Sequence, residues 1–292
     1  QTAETIYKEQ SLVNVEDRIA PLEEVFRIQA ADELQSAEKI YLTGSGQNAS
    51  AIVLAASQGE GLESLTQNMP KCMIPFAGKS ILEHLTGQLK KVHVNRISVV
   101  VGYKPESVKV SGIKLIENRD FDTTKELSSL ALAEAEIKGT NLIVYGDVLM
   151  RQYVLEELLN APEDIVIAVD SAGHVKSGVV IAEDRVKCSA ADSWESFNQN
   201  PQVVKFWPEP DETCHGQWAG VLKVSETGGF QLKQAMNQLR KTGAFTGMNI
   251  PQLLNQVLQN GFPVHALYIR DHCVNVNQVL DVGKAQTFLT GV

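Results

Sequence analysis

The stretch 51–84, AIVLAASQGEGLESLTQNMPKCMIPFAGKSILEH, decides the fold of this chain. It opens with a short apolar run, 51–54, that is typical of a buried β-strand. Small residues and glycines follow, so that backbone amides can approach an anion without obstruction by side chains. Ten residues after Gly61, Lys71 follows Pro70 and supplies a compact cation that can point back at this loop. The stretch therefore predicts a cradle for a nucleoside triphosphate, although a glycine-rich loop alone also fits an ordinary turn.

Composition indicates a globular protein with a large core and no affinity for nucleic acid. The chain has 292 residues, of which 43% are hydrophobic and 21% charged. Its formal net charge is -9, whereas nucleic-acid binding requires a basic face. No apolar run approaches the roughly 20 residues that span a bilayer, and the first residues do not resemble a signal peptide. We therefore expect a cytoplasmic protein with no membrane partner.

Strand-like and helix-like segments alternate beyond residue 48. The predicted strands are 51–56, 96–102, 112–118, 141–147 and 164–170, and the predicted helices lie near 80–93, 123–137 and 151–160. Such alternation predicts a Rossmann-like α/β fold, with a mostly parallel sheet and helices on both faces. Shorter strands between 171 and 226 predict a smaller antiparallel region on the substrate side. Helices at 228–242, 249–260 and 278–289 and a strand at 264–270 complete the prediction.

The motifs LAAS-x-G-x-G-L, PKCM-x-P and GK together resemble the nucleotidyltransferase family that includes sugar-nucleotide pyrophosphorylases and phosphocholine cytidylyltransferases. The resemblance covers most of residues 48–292, and AASQGEGL with PKCMIPFAGKSIL looks closest to the 2-aminoethylphosphonate cytidylyltransferases. It implies that Lys71 is catalytic and that the nucleotide contacts are Leu54, Ala55, Ala56, Ser57, Gly59 and Gly61. Two positions depart from the family, which usually has Gly in place of Ser57 and Arg in place of Gly61.

Asp147 follows the apolar strand NLIVY and faces the same crevice as the loop after 51–56. An acid there can hold Mg²⁺ on a triphosphate, but an Asp before a helix also serves as an N-cap, and the pattern alone leaves both roles open. The family resemblance implies the metal role, because a GD motif supplies the ligand in relatives. It also implies a second ligand from a late V-[DN] motif, here Asn277, which can cap the last helix as well.

Two further segments resemble the part of the family that binds the acceptor. ENRDFDTTKELSSL resembles the motif N-x-x-(Y/F)-x-x-T-N-x-x-x-S-L, with Lys125 in place of the usual Asn, and we expect its helix to begin at Thr123 or Thr124. GQWAGVLKVS resembles G-E-(W/F)-x-G-(L/I), with Gln217 in place of the acid. The substrate-binding residues implied by the resemblance are Lys79, Asn118, Ser129, Asp170, Gln217 and Trp218. Asp170 also fits a strand-end turn and Trp218 also fits the core.

Helical spacing of apolar residues between 14 and 43, followed by Thr43-Gly-Ser-Gly, predicts a helical arm and linker at 1–46 before a nucleotidyltransferase domain at 47–292. APLEEVFRIQAADELQSAEKIYL resembles the closing segment of phosphoenolpyruvate mutases. Since the chain starts at Gln1 rather than Met, we expect a longer protein with a mutase domain upstream. The alternative is an arm that packs on the core or on a sister subunit of a homodimer, which is the oligomer we expect.

The resemblance implies a cytidylyltransferase that transfers CMP from CTP to a small phosphonate, 2-aminoethylphosphonate, with Mg²⁺ as cofactor and pyrophosphate as product. One alternative keeps the fold and changes the acceptor to 2-hydroxyethylphosphonate, phosphocholine or a sugar phosphate. Another is a nucleotide-binding module without catalysis, in which the departures at Ser57, Gly61, Gln217 and Asn277 reflect decay.

Overall fold

The computed structural model describes residues 48–59, 61–172, 182–193, 200–209 and 212–290, all of which belong to one compact unit. The predicted helical arm at 1–46 and its resemblance to the mutases lie outside the described residues, so both remain predictions. No helix in the described ranges is both long and apolar enough to cross a membrane.

Helices and strands alternate through the described residues. The helices are α1 (Ile81–Lys91), α2 (Glu126–Leu132), α3 (Gln152–Asn160), α4 (Glu226–Arg240), α5 (Ile250–Gln259) and α6 (Val279–Thr290). The strands of the first half are β1 (Ser50–Ala55), β2 (Pro75–Phe76), β3 (Lys79–Ser80), β4 (Arg96–Val101), β5 (Lys114–Glu117), β6 (Asn141–Tyr145) and β7 (Val148–Met150). Those of the second half are β8 (Ile165–Asp170), β9 (Arg185–Cys188), β10 (Val203–Phe206), β11 (Gly216–Val224), β12 (His265–Ile269) and β13 (Cys273–Asn275).

The main sheet is mixed, with a parallel half built around β1. Strand β1 lies between β4 and β6, parallel to both, and β5 continues the parallel half beyond β4. Strand β11 runs antiparallel to β6 and to β8, and β12 pairs with β8 in parallel. Strands β9 and β10 extend the sheet from the beginning of β11. The predicted Rossmann-like, mostly parallel α/β fold is therefore confirmed.

Both faces of the sheet are covered by helices, as the apolar character of β1 predicts. Ala51, Val53 and Ala55 face a buried cluster that includes residues of α1 and α3. Ile52 and Leu54 face a second cluster, which includes residues of α2, α4 and α5. Alternate residues of one strand thus build two cores, and the carboxyl end of β1 is left as the place where a ligand can bind.

The segment GQWAGVLKVS is antiparallel, as predicted, but longer than the short strands expected between 171 and 226. It forms the nine-residue strand β11 inside the main sheet. The antiparallel pair formed by β7 and β13 was not expected, because each strand has only three residues.

The predicted start of the helix near 123–137 is also wrong. Helix α2 begins at Glu126 and ends at Leu132, and a 3₁₀ turn follows it at Glu134–Glu136. The N-cap residue is Lys125, whose side chain makes no capping bond, and the hydroxyl of Thr124 instead donates to the carbonyl of Asp120 at 2.7 Å.

Replacing Gly146 by alanine tests how closely β1 packs against the residue before Asp147. A Cβ at Gly146 would lie 2.5 Å from the Cβ of Ala55, so Gly146→Ala should lower the free energy of unfolding by about 1–3 kcal/mol. Gly87→Ala is the matched control, because a Cβ there meets nothing within 4 Å and α1 should gain up to about 1 kcal/mol. Urea unfolding of both variants measures the difference, and equal stabilities would contradict this packing.

Candidate active site

A cavity of about 700 Å³ opens beyond the carboxyl ends of β1 and β6. This is the edge at which ligands bind to open parallel sheets. Among the predicted residues, those that line the cavity are Leu54, Ala55, Ala56, Ser57, Gly59, Lys71, Ser129, Asp147 and Asn277. The structure thus brings together the loop, the lysine and both predicted metal ligands, which are far apart in the sequence.

The loop after β1 packs against Lys71 and Leu62. Gly59 has a φ of +89°, and a Cβ there would lie 2.9 Å from the Cβ of Lys71, so this position requires glycine. The N–H of Gly59 donates to the hydroxyl of Ser57 at 3.1 Å, which gives Ser57 a role in holding the turn. The small residues of the loop therefore pack closely on the side chain of Lys71.

Gly61 also fits its surroundings, although the resemblance leads to an expectation of arginine there. Its φ is +89°, and a Cβ would lie 3.2 Å from the backbone carbonyl of Asn277. A side chain at this position would be strained and crowded. Gly61 itself is not among the residues that line the cavity.

Lys71 is the charged centre of the site. It begins a 3₁₀ turn (Lys71–Met73) after Pro70 and is only 9% exposed. Its ammonium donates to Oδ1 of Asn277 at 2.6 Å and forms an ion pair with Oδ2 of Asp147. The pairing of β7 with β13 and a bond of 3.0 Å from the N–H of Val276 to the carbonyl of Asp147 hold these two partners together.

The two oxygen ligands that the resemblance implies for Mg²⁺ therefore converge on one positive charge. Asp147 is not an N-cap, because the cap residue of α3 is Arg151. Asp147 lines the cavity instead. The amide oxygen of Asn277 is likewise used by Lys71. Across the described residues, no group of three or more His, Cys, Asp or Glu can hold a metal. A hard cation fits here with further oxygens from phosphate and water.

Asn118 lies behind the cavity wall. Its side-chain amide donates to Thr124 at 3.1 Å and to Ser129 at 3.0 Å, and its oxygen accepts the N–H of Asp120 at 3.1 Å. Both N–H donors of this buried amide are thus used inside the protein. Asn118 positions Ser129, which does line the cavity.

The other predicted acceptor residues do not line the cavity. Lys79 is exposed on β3, and Gln217 pairs with Asp170 at the beginning of β11. The buried carboxylate of Asp170 accepts the N–H of Ala172 at 3.0 Å and that of Asp271 at 3.2 Å, in agreement with a strand-end turn. Trp218 has the core position that the sequence left open, since it is 2% exposed and its indole donates to the carbonyl of Val221.

An acidic wall of the cavity was missed by the sequence analysis. Glu126 on α2, and Glu183 and Asp184 on the 3₁₀ turn Ala182–Asp184, line the cavity together with the ring of Tyr145. Burial raises the pKa of Glu126. It raises the pKa of Asp184 to about 7, and the negative charges of Glu126, Asp147 and Glu183 add to the effect. Of these acids, only Glu126 had a sequence signal, because it lies within the segment ENRDFDTTKELSSL that resembles the family motif.

A glycine loop, a buried lysine and an acid at the ends of parallel strands define a nucleotide-binding enzyme of the nucleotidyltransferase class. The MobA-like NTP transferase domain matches residues 51–275, and the chain belongs to this family.

Curated relatives differ in what they act on. The chain is 34% identical over 142 residues to the CMP-5'-(3-aminopropyl)phosphonate synthase of Streptomyces rubellomurinus, a match that covers 46% of this chain and 23% of that protein. It is 33% identical over 133 residues to the CTP:phosphoglutamine cytidylyltransferase of Campylobacter jejuni, covering 42% of this chain and 53% of the relative. The bifunctional protein GlmU of Methanocaldococcus jannaschii is 29% identical, with coverages of 71% and 50%. The chain thus spans between a quarter and about half of their lengths.

Solved structures share the fold. The inositol-1-phosphate CTP transferase from T. maritima superimposes with a TM-score of 0.66 at 18% identity and covers 85% of this chain and 96% of its own. The CTP:phosphocholine cytidylyltransferase from Streptococcus pneumoniae has a TM-score of 0.61 at 18% identity, with coverages of 82% and 99%. At this identity, the likeness establishes the fold.

Gly59→Ala should weaken the binding of a nucleoside triphosphate at least tenfold, because the new Cβ strains the loop and displaces Lys71. Gly78→Ala is the matched control: its φ of +81° imposes the same backbone strain, but a Cβ there meets nothing within 4 Å. Calorimetric titration with CTP, UTP and ATP measures both variants. Unchanged binding by the Gly59 variant would show that the loop does not contact the triphosphate.

Asp184→Asn should make stability less sensitive to pH. The pKa of Asp184 is raised from 3.8 to about 7, so between these values the native state holds a proton that the unfolded state has lost. The stability of the parent protein therefore falls as pH rises towards 7. The quantity to compare is the free energy of unfolding of the variant minus that of the parent. We expect this difference to be about 1–3 kcal/mol larger at pH 8 than at pH 4. Urea unfolding at both pH values measures this, and a pH-independent difference would contradict the assignment.

Proposed function

We propose that this protein is a cytidylyltransferase that transfers CMP from CTP to a small phosphonate, 2-aminoethylphosphonate, and releases pyrophosphate. The observation that carries the proposal is the buried ammonium of Lys71, which lies beneath a glycine loop and between Asp147 and Asn277. The relatives that form a CMP-aminopropylphosphonate or use CTP support the choice of nucleotide and of acceptor class.

In the proposed reaction, a phosphonate oxygen attacks the α-phosphorus of CTP and forms a new P–O bond. The bond from the α-phosphorus to the bridging oxygen breaks, and pyrophosphate leaves with the electron pair. The chain's residues contribute position and charge rather than covalent chemistry. The loop amides at 56–59 hold the triphosphate, and Lys71 neutralises the charge that develops on the transferring group and the leaving oxygen.

Asp147 and Asn277 are the residues that would hold Mg²⁺ in this reaction. When bound, the ion neutralises triphosphate oxygens and acts as a Lewis acid. Because both side chains also bind Lys71, they set the position of the ammonium below the loop.

The competing acceptors are 2-hydroxyethylphosphonate, phosphocholine and a sugar phosphate, and the competing function is nucleotide binding without transfer. The positive φ of Gly61 and the bond made by Ser57 argue against decay, because both residues fit the loop in which they lie. A homodimer, a cytoplasmic location and an upstream mutase domain remain predictions from the sequence.

Pyrophosphate release tests the reaction. We expect release with CTP, Mg²⁺ and 2-aminoethylphosphonate, and a rate at least tenfold lower with UTP or with phosphocholine. Lys71→Ala should lower turnover at least 100-fold, because charge on the transferring group is no longer neutralised. Lys109→Ala, which removes an exposed lysine that does not line the cavity, is the control and should retain full activity.

Circular dichroism must first show that each variant is folded. Near-normal turnover by the Lys71 variant would rule out its catalytic role. A folded parent protein that binds CTP but releases no pyrophosphate with any acceptor would instead support the non-catalytic alternative.

A further inference from the structure

The cavity carries an excess of acidic groups away from Lys71. The glycine loop and Lys71, which is paired with Asp147, line one part, whereas Glu126, Glu183 and Asp184 line another together with Lys125. Such an arrangement is unfavourable for a site that binds only polyanions, because carboxylates repel phosphate groups at short distance. The acidic wall therefore favours a ligand that carries a cationic group.

Two of the three acids lack a partner inside the described protein. Oε2 of Glu126 is buried from water and has no hydrogen bond. No described residue donates a hydrogen bond to Asp184 or forms an ion pair with it. Glu183 differs, because its carboxylate accepts from the amide of Asn249 at 2.9 Å and lies 4.0 Å from the ammonium of Lys125. Glu126 and Asp184 also line the cavity, where the negative charges of their carboxylates can attract a cationic ligand.

We infer that Glu126 and Asp184 form a subsite for a primary ammonium group on the acceptor. The inference rests on the proposed function, since it assumes that the acceptor binds in this cavity. An ammonium supplies three donors and a positive charge to a part of the cavity where Glu126 and Asp184 provide carboxylates and Tyr145 an aromatic ring. An alkylammonium fits better than a second metal ion, because the described acids form no group of three ligands.

The subsite also accounts for Gln217, which stands where the family motif has an acid. Gln217 pairs with Asp170 on β11 and does not line the cavity. In this chain, the negative charge that recognises an amine lies instead on α2 and on the turn before β9.

Calorimetry with a pair of isosteric ligands tests the subsite without turnover. The protein is saturated with Mg²⁺ and α,β-methylene-CTP, which cannot release pyrophosphate. It is then titrated with 2-aminoethylphosphonate and with propylphosphonate, in which a methyl group replaces the ammonium. At pH 8, we expect the parent protein to bind the amine at least tenfold more tightly.

The variants Glu126→Gln and Asp184→Asn, made singly and together, should reduce this preference to less than threefold and leave the affinity for propylphosphonate unchanged. Glu106→Gln, which replaces an exposed acid that does not line the cavity, is the matched control. Equal binding of the two ligands by the parent protein would overturn the inference. So would a preference that survives in the double variant, or Mg²⁺ binding to the protein without nucleotide that disappears in the double variant.

A pyrophosphate assay of the parent protein separates this inference from the proposed function. Transfer to 2-hydroxyethylphosphonate as efficient as transfer to the amine would overturn the subsite and leave nucleotidyl transfer in place. Preferential binding of the amine without pyrophosphate release would support the subsite and contradict the proposed reaction.

Discussion

The ammonium of Lys71, held by the carboxylate of Asp147 and the amide oxygen of Asn277, is the interaction on which the site depends. It joins the turn after Pro70, the end of β6 and the segment after β13. A charge this deeply placed must be paired, because an isolated ion loses its hydration without compensation. The short strands β7 and β13 pair with each other and thereby bring Asp147 and Asn277 to the same ammonium.

Local pattern was sufficient for the fold and for the prediction that the glycine loop and Lys71 lie together at the cavity. The apolar run of β1, the small residues after it and Lys71 lie within one short stretch, so their proximity could be inferred from steric and charge arguments that need no tertiary information. The strand that carries Asp147 was predicted for the same reason. The three-residue strands β7 and β13 were not predicted, because periodicity has no meaning over so few residues.

The acceptor end could not be predicted in the same way. Trp218 and Gln217 were chosen by motif, but a strand alternates its faces, and only the sheet shows that Trp218 packs into the core against Tyr145. Glu126 and Asp184 come from segments that are separate in sequence, and neither has a spacing that marks a site. Asn118 was expected to contact the substrate, but its amide donates to Ser129 and it does not line the cavity.

The bond between Lys71 and Asn277 joins residues that are 206 positions apart. Contacts of such long range form late, because the intervening chain must be ordered before the ends can meet. During synthesis, the sheet around β1 can be in place while the last ligand of the lysine is still inside the ribosome. A chain that ends before β13 therefore lacks Asn277, and Lys71 keeps only its ion pair with Asp147.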